Sequence, residues 1–292
     1  MGTEVTRRAA VVGSPITHSL SPVLHRAAYT ALGLDGWEYD RIECDDAGLP
    51  GMVRELGPEW VGLSVTMPGK KAALALAGEA TERAVAVGAA NTLVRLPDRG
   101  WRADCTDVDG VVGALRAAGG YRRDPGGTAV MLGAGGTAMA ALAGLAELGV
   151  NQVQLVVRDP VRAADALDCA KRVGVSATAV RWAEADLAAL ASAADVVVST
   201  VPAGVDEPTA AALATAPCVL DVIYHPWPTL LARAVAERGG HLATGLDMLL
   251  HQAFGQVEQF TGRPAPREAM RDALRAATGH VLPLPLAADS TL

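Results

Sequence analysis

Thr128-Ala129-Val130-Met131-Leu132-Gly133-Ala134-Gly135-Gly136-Thr137-Ala138 is the stretch that decides the fold class of this 292-residue chain. The apolar residues up to Leu132 predict a buried strand, and Gly136 opens an alanine-rich predicted helix. Gly133, Gly135 and Ala138 have the spacing of the dinucleotide-binding fingerprint, which admits alanine at its last position. Glycines there allow a tight turn and let backbone N–H groups approach a pyrophosphate at a helix N-terminus. The alternative is a glycine-rich turn without a ligand in an alanine-rich domain.

The next predicted strand, residues 152–157, bears on which dinucleotide would bind. An Asp or Glu at its end holds the ribose 2′-OH of NAD, whereas an arginine suits the 2′-phosphate of NADP. Here the strand is followed by Arg158, with Arg162 one turn further on. The pattern favours NADP, although Asp159 could still reach a ribose hydroxyl.

Strand and helix patterns alternate along most of the chain, which predicts an α/β fold with mostly parallel sheets. In the first part, strands are predicted at 8–13, 37–43, 60–65, 91–95 and 101–104, and helices at 22–32, 47–56, 69–76 and 107–118. The later strands are predicted at 128–132, 152–157, 195–200 and 218–223.

Two domains are expected, with a seam at Gly119-Gly120 and Asp124-Pro125-Gly126-Gly127. A helical segment, 246–277 with a break at 261–266, has no strand left to pair and is expected to pack back onto the first domain. This predicts a substrate domain of residues 1–106 plus 246–292 and a Rossmann-type dinucleotide domain of residues 107–245. The tail after Gly279 is expected to be loose.

Composition excludes several classes of function. A net charge of -7, a pI near 5.4 and 4% aromatic residues argue against a nucleic-acid partner. The four cysteines form no C-x-x-C pair and are expected to be reduced, which suits a cytoplasmic protein. The six histidines lack metal-ligand spacing, so no metal is expected.

Two segments resemble membrane signals, and neither is expected to act as one. Met1-Gly2 with Thr6 fits a loose myristoylation pattern, and Arg7-Arg8 precedes a short apolar stretch that is better interpreted as a first strand. Residues 126–146 carry no charge and could span a bilayer, but their glycines favour a strand, a turn and a helix.

The lysines are few and unevenly placed. Of 25 basic residues only Lys70, Lys71 and Lys171 are lysines. Unlike arginine, a lysine in a poorly solvated cleft can exchange a proton near neutral pH. Lys70 is predicted in the first turn of a helix, where the helix dipole disfavours a cation by up to about 1 kcal/mol. Lys70 is therefore a candidate for proton transfer, and the alternative is a pair of solvated surface lysines.

Four polar segments are predicted at strand ends, where open α/β sheets bind ligands. They are His18-Ser19-Leu20-Ser21-Pro22, Ser64 to Lys70, Gly88-Ala89-Ala90-Asn91-Thr92 and Asp104-Cys105-Thr106-Asp107. With Ser21 as N-cap and Pro22 as first helical residue, the Ser19 and Ser21 hydroxyls would make a seat for a carboxylate. The alternatives are that Ser21 only caps its helix and that Asp107 only begins one.

Taken together, the chain resembles the shikimate dehydrogenase family over almost its whole length. The matching motifs occur in order as H-S-x-S-P, V-T-x-P-x-K, G-A-x-N-T, T-D, G-A-G-G, D-x-x-Y (ending at Tyr224) and G-L-x-M-L-x-x-Q (ending at Gln252). The chain departs from the family's usual N-V-T and D-N-T-D at Ser64 and Cys105, and from N-R-T around Arg158.

The resemblance implies a role for each matching residue. A catalytic pair is implied at Lys70 and Asp107. Substrate contacts are implied for Ser19 and Ser21 with the carboxylate, Thr66, Asn91, Asp107 and Gln252 with ring hydroxyls, and Tyr224 nearby. Gly133, Gly135, Gly136, Arg158 and Arg162 are the NADP contacts already indicated by the glycine turn and the strand end, and the resemblance adds Gly245 and Met248 against the nicotinamide.

The implied activity is the reversible NADPH-dependent reduction of 3-dehydroshikimate to shikimate in aromatic amino-acid (chorismate) biosynthesis. A lysine held by a carboxylate could donate the proton that the reduced ketone needs, and general acid–base catalysis of this kind contributes about 10²–10⁴-fold. The alternatives are an NAD-preferring enzyme acting on quinate or an aminated shikimate, and a non-catalytic sensor of shikimate-like acids. The expected partner of the protein is a small-molecule substrate, and the protein is expected to be a monomer or a homodimer.

Overall fold

The computed structural model describes residues 7–98, 100–122 and 125–286. The myristoylation-like pattern at Met1-Gly2, the seam residue Asp124 and the end of the tail, 287–292, lie outside the described residues. The chain divides into two compact units. The first unit comprises Met1–Thr106 and Gln252–Pro283, and the second comprises Asp107–His251 and Leu284–Leu292.

The first unit contains most of the N-terminal elements. They are β1 (Arg7–Gly13), α1 (Ser21–Ala31), β2 (Trp37–Glu43), α2 (Leu49–Glu55), β3 (Trp60–Val65), α3 (Lys70–Leu76), β4 (Glu79–Ala80), α4 (Glu82–Val87), β5 (Thr92–Arg95) and β6 (Trp101–Asp104).

The second unit begins with the helix that follows β6. Its elements are α5 (Asp107–Ala117), β7 (Gly127–Leu132), α6 (Gly136–Glu147), β8 (Val150–Val157), a 3₁₀ turn (Pro160–Ala163), α7 (Ala164–Arg172), β9 (Ser176–Arg181), a 3₁₀ turn (Trp182–Glu184), α8 (Leu187–Ser192), β10 (Val196–Ser199), α9 (Glu207–Leu213), β11 (Cys218–Asp221), α10 (Leu230–Glu237) and β12 (His241–Thr244). Two helices complete the chain, α11 (Gly245–Thr261), which contributes to both units, and α12 (Arg267–Ala277).

The first unit is built on a mostly parallel sheet, as predicted. Its strand order within the described residues is β2-β1-β3-β5-β6-β4. β1 runs parallel to β2 and β3, whereas β5 runs antiparallel to both β3 and β6. Because of this reversal, the start of β5 and the ends of β3 and β6 lie at one edge of the sheet.

The C-terminal helices pack back onto the first unit, as the sequence predicted. α12 lies against α1, and the buried Phe260 of α11 lies on β3 at Gly62. One face of the sheet is covered by a cluster that includes Trp60, Leu63 and Leu93. Burial of this kind is worth about 25 cal/mol per Å² of apolar surface, which holds α2 and α3, the helices that contribute to this cluster, to the sheet.

The second unit has an all-parallel sheet, with the order β12-β11-β10-β7-β8-β9 in the described part of the chain. This is the doubly wound order. The chain adds β8 and β9 on one side of β7 and β10 to β12 on the other, so the strand order reverses between β7 and β10. The uncharged stretch 126–146 forms β7 and α6, which confirms its interpretation as strand, turn and helix. None of the helices in the described ranges combines the length and apolar character needed to cross a bilayer.

Several strands were not predicted from the sequence. β9 has no run of buried residues, because it lies at the sheet edge and is half exposed. β12 has only four residues, and β4 only two, too few for a periodic pattern. The expected N-cap at Ser21 is wrong: α1 begins at Ser21 and its N-cap position is Leu20, which has no side-chain cap.

The contact between Gly62 and Phe260 yields a test of how α11 is held. A Cβ on Gly62 would overlap the Phe260 ring. Gly62→Ala should therefore lower the free energy of unfolding by about 1–3 kcal/mol, as overpacked cores do. The midpoint of urea unfolding measures this.

Gly78→Ala is the matched control, since a Cβ at Gly78 meets nothing within 4 Å. Adding Phe260→Leu to Gly62→Ala should recover part of the loss. Equal midpoints for the Gly62 and Gly78 variants would contradict close packing of Phe260 on Gly62.

Candidate active site

Several polar residues of the first unit lie together at one edge of its sheet, where β3 and β6 end and β5 begins. The strand register pairs Ser64 with Thr92, and Thr92 with Asp104. Asn91, directly before β5, donates its backbone N–H to the Asp104 carbonyl at 3.1 Å and accepts the Val65 N–H at 2.7 Å. The antiparallel entry of β5 therefore brings residues far apart in sequence to the end of β3, where ligands bind in open α/β sheets.

Asn91 is the centre of a buried cluster of hydrogen bonds at this edge. Its Oδ1 accepts the backbone N–H of Thr106 at 2.7 Å. Its Nδ2 donates to Thr106 Oγ1 at 3.0 Å and to Gln252 Oε1 at 3.2 Å. The structure thus brings together Asn91 and Gln252, two of the predicted hydroxyl ligands, and adds Thr106, to which the sequence analysis gave no role.

Gln256 is a second residue that the sequence analysis missed. It is 1% exposed, and its Nε2 donates to the Asn91 carbonyl at 3.1 Å and to Thr92 Oγ1 at 3.0 Å. Its Oε1 lies 2.7 Å from Ser64 Oγ and 3.2 Å from His25 Nε2. A signal was available, because residues four apart on a helix share a face and Gln256 follows Gln252 by four.

The predicted carboxylate seat lies at the start of α1. Ser19 Oγ lies 3.3 Å from both the hydroxyl and the backbone nitrogen of Ser21. The Ser19 carbonyl accepts two hydrogen bonds from the Arg41 guanidinium, at 3.0 and 2.6 Å. Ser21 lies inside the helix instead of capping it, so its hydroxyl has no competing cap bond to the helix backbone. The two hydroxyls are adjacent, as the spacing predicted.

Thr66 and Lys70 follow the end of β3. The Thr66 N–H donates to the Val12 carbonyl at 2.8 Å, which ties this loop to the end of β1. Lys70 is the first residue of α3 and is half-buried, and its carbonyl accepts the Ala90 N–H at 2.9 Å. The backbone therefore connects the Lys70 turn to the residues just before Asn91.

The predicted partner of Lys70 belongs to the other unit. Asp107 is the first residue of α5, is 6% exposed and follows Thr106 directly in the chain. The pairing of Lys70 with Asp107 stays a prediction.

The glycine turn of the second unit has the geometry of an anion site. Gly133 has φ +102°, and a Cβ there would lie only 2.5 Å from Thr200 Oγ1. Gly135 is the N-cap of α6 without a side-chain cap, and a Cβ at Gly135 or Gly136 would meet nothing within 4 Å. Uncapped N–H groups beside open space can hold a phosphate, so the residues present fit a dinucleotide.

The end of β8 is rich in arginine. Arg158 and Arg162 are exposed, and Arg181 on the neighbouring strand β9 donates to the Arg158 carbonyl at 3.2 Å. Asp159 Oδ1 accepts the Val161 N–H at 3.1 Å and caps the 3₁₀ turn. This cap gives Asp159 a local role other than binding a ribose.

Tyr224, Gly245 and Met248 also lie in the second unit. A Cβ on Gly245 would overlap the Val222 carbonyl and approach Tyr224 Cδ1 to 2.8 Å, so only glycine fits there without displacing the loop. Burial raises the pKa of Tyr224, which keeps its phenol neutral. Met248 is 7% exposed in the first turns of α11.

Asp104 secures β6 below the Asn91 cluster. Its carboxylate accepts two hydrogen bonds of 2.7 Å from Arg83, one of 2.7 Å from Thr81 and one of 2.8 Å from Gln259. Burial by itself would raise the pKa of Asp104, but the hydrogen bonds and charge of Arg83, with Thr81 and Gln259, outweigh burial and lower the pKa to about 2.

The remaining ligand types give no further site. Cys105, where the family usually has an amide, is buried, and within the described residues none of the four cysteines takes part in a disulfide. Across the ranges that the structure describes, no group of three or more His, Cys, Asp or Glu side chains could hold a metal ion.

A doubly wound sheet with an open glycine turn, and a second sheet with amides and hydroxyls at its strand ends, define a class. The class is that of two-domain α/β oxidoreductases that use a nicotinamide dinucleotide.

Comparison with known proteins narrows the class. Residues 11–93 match the family model "Shikimate dehydrogenase substrate binding domain", and residues 245–275 match "Shikimate 5'-dehydrogenase C-terminal domain". The shikimate dehydrogenase (NADP(+)) of Methylobacterium radiotolerans is 39% identical over 280 residues, covering 93% of this chain and 97% of the relative. This chain belongs to the shikimate dehydrogenase family.

Solved structures agree with this family. Mycobacterium tuberculosis shikimate dehydrogenase is similar with a TM-score of 0.86 and 57% identity, covering 92% of this chain and 99% of that one. Shikimate 5-dehydrogenase of Thermus thermophilus, solved in complex with NADP(H) and shikimate, has a TM-score of 0.77 and 30% identity, covering 93% and 99%.

The low pKa of Asp104 predicts a stability that depends on pH. The pKa is lowered by folding, so this contribution is present above the ordinary value of 3.8 and is lost as the pH falls towards about 2. Asp104→Asn should unfold more easily at neutral pH and should lack that acid-dependent part. Urea unfolding of both proteins at a series of pH values measures it.

Asp35→Asn is the control, because Asp35 is an exposed carboxylate of the same unit. If wild type and Asp104→Asn lose stability in parallel between about pH 4 and pH 2, the charge on Asp104 does not stabilise the fold.

Proposed function

We propose that this protein catalyses the reversible NADPH-dependent reduction of 3-dehydroshikimate to shikimate, a step towards chorismate and the aromatic amino acids. The observation that carries the proposal is the buried cluster of Asn91, Thr106 and Gln252 at the strand ends, which suits ring hydroxyls. The relatives named shikimate dehydrogenase (NADP(+)) support it over 93% of the chain.

The first unit would bind the substrate. The adjacent hydroxyls of Ser19 and Ser21 would hold its carboxylate, and Thr66, Asn91 and Gln252 would bind its ring hydroxyls, with Tyr224 nearby. Residues 1–106 plus 246–292 are the proposed substrate domain, and residues 107–245 the proposed NADP domain.

The second unit would bind the cofactor. Gly133, Gly135 and Gly136 leave backbone N–H groups open for the pyrophosphate, and Arg158 with Arg162 would hold the 2′-phosphate. Gly245 and Met248 would lie against the nicotinamide. NADPH, when bound, supplies the hydride that reduces the ketone.

Lys70 and Asp107 would handle the proton. The Lys70 ammonium would stabilise the developing alkoxide and donate a proton to it, and in the oxidative direction the neutral amine would accept the proton from the alcohol. Asp107 would orient the amine and favour its charged form.

A second candidate is an NAD-preferring enzyme for quinate or an aminated shikimate, which Asp159 would favour. The bond from Val161 to Asp159 argues against it. A non-catalytic sensor has no need of a lysine and a carboxylate for proton transfer.

We also propose a cytoplasmic location, a monomeric or homodimeric state, and no nucleic-acid partner.

The primary test is oxidation of shikimate with NADP, followed by the absorbance of the reduced nicotinamide. Quinate and NAD are compared side by side. Turnover of shikimate with NADP supports the proposal, whereas folded protein without turnover refutes it.

Replacing Lys70 tests the proton step. Lys70→Ala should lower kcat by about 10²–10⁴-fold, the usual contribution of general acid–base catalysis. Shikimate affinity should stay within about tenfold, because the amine acts mainly in the transition state. Steady-state kinetics and equilibrium binding measure the two quantities.

Lys71→Ala is the matched control, since Lys71 is the exposed neighbour in the same helix. It should leave kcat within about twofold, as exposed substitutions usually do. A large loss of binding with little change in kcat for Lys70→Ala would contradict the proton-transfer role.

Replacing Arg158 tests the choice of cofactor. Arg158→Ala should lower kcat/KM for NADP about tenfold or more relative to NAD, because a charge-assisted bond to the 2′-phosphate is lost. Arg233→Ala, another exposed arginine of the second unit, should leave the ratio unchanged. An unchanged NADP to NAD ratio for Arg158→Ala would refute this role.

A further inference from the structure

The orientation of the Gln256 amide is fixed by its surroundings. A backbone carbonyl only accepts hydrogen bonds, so the Gln256 atom 3.1 Å from the Asn91 carbonyl is the amide nitrogen. Its other hydrogen is directed to Thr92 Oγ1 at 3.0 Å. Gln256 Oε1 therefore lies on the opposite side, where it accepts from Ser64 at 2.7 Å and from His25 at 3.2 Å.

The side chains that contact Gln256 Oε1, and those packed against them, fix the orientation of the Gln256 amide. The single hydroxyl hydrogen of Ser64 is directed to Gln256, so Ser64 accepts from the Tyr39 hydroxyl at 2.6 Å. His25 is stacked on Tyr39 at 4.0 Å, and burial lowers its pKa to about 3, against a smaller rise caused by the Gln256 hydrogen bond. The neutral ring donates to Gln256 through Nε2.

The donor-to-acceptor order of the hydrogen bonds continues from Gln256 through Thr92 to the Asn91 side chain. Thr92 Oγ1 accepts from Gln256, so its own hydrogen is directed to Asn91 Oδ1 at 2.9 Å. The backbone N–H of Thr106 also donates to Asn91 Oδ1, at 2.7 Å. Thr106 Oγ1 also lies 3.1 Å from this oxygen, so three groups surround it, and the Asn91 amide nitrogen is consequently turned towards Gln252.

We propose that Gln256 is a positioning residue of the substrate site. Through Thr92 and the Asn91 carbonyl it holds the Asn91 amide with its nitrogen towards Gln252, so that the N–H that bonds to Gln252 Oε1 here would donate to a ring hydroxyl when substrate binds. The inference rests on the proposed function for the identity of the ligand. Ser64, Tyr39 and His25 act behind Gln256, since they fix the orientation of its amide.

Gln256→Met tests the proposal, because methionine fills a similar volume without hydrogen bonds. KM for shikimate should rise about tenfold, the value of one hydrogen bond, while KM for NADP stays within about twofold. Thr92→Val interrupts the same path with an isosteric side chain and should change KM in the same direction. Val257→Ala, a fully buried neighbour in α11, should destabilise the fold without changing KM for shikimate.

Analogues of shikimate that each lack one ring hydroxyl give the readout that a merely structural role would not affect. With shikimate, kcat/KM should be higher for wild type than for Gln256→Met. With the analogue that lacks the hydroxyl contacted by Asn91, the two proteins should have about equal kcat/KM, because that hydrogen bond is missing in both. A ratio of wild-type to Gln256→Met kcat/KM that is equal for all analogues would overturn the proposal, as would an unchanged KM in both Gln256→Met and Thr92→Val.

Failure of the proposed function would show separately, as wild-type protein that does not turn over shikimate. In that event crystal structures of wild type and Gln256→Met still decide the positioning. The distance from Thr106 N to Asn91 Oδ1, 2.7 Å here, should lengthen in the variant as the amide turns. An amide with unchanged orientation would overturn the inference.

Discussion

A buried amide is most stable when its N–H groups and its oxygen all have partners, and Gln256 meets this condition in the first unit. An unpaired buried donor or acceptor costs about 1–3 kcal/mol. Gln256 in α11 meets this requirement with Asn91, Thr92, Ser64 and His25, which come from β3, β5, α1 and the turn before β5. Sliding α11 by one residue would break these bonds together.

The same helix face also carries the apolar contact with the sheet. Gln252, Gln256 and Phe260 are spaced by four residues and so share one side of α11. The first two bond to the strand ends, and Phe260 occupies the space that Gly62 leaves on β3. A C-terminal helix is thereby fixed against N-terminal strands, which places Gln252 beside Asn91.

The second unit satisfies a different constraint. The strand order of its all-parallel sheet reverses between β7 and β10, which leaves an opening at their carboxyl ends. Gly133 turns away from β7 with a positive φ beside Thr200, whose hydroxyl donates to the Leu132 carbonyl at 2.8 Å. The turn delivers the uncapped start of α6 to that opening, where the helix dipole favours an anion.

The strand–helix alternation, the glycine turn and the ordered motifs can all be predicted from the sequence, because they depend on local periodicity and spacing. The sequence predicted Asn91 and Gln252 as members of one site through resemblance to a family. The three-dimensional structure was needed to show that β5 enters antiparallel, that Thr106 bonds to Asn91, and that Gln256 connects Ser64 and His25 to the Asn91 carbonyl. Those features depend on hydrogen bonds between residues up to 231 positions apart, such as His25 with Gln256, and no local pattern encodes such partners.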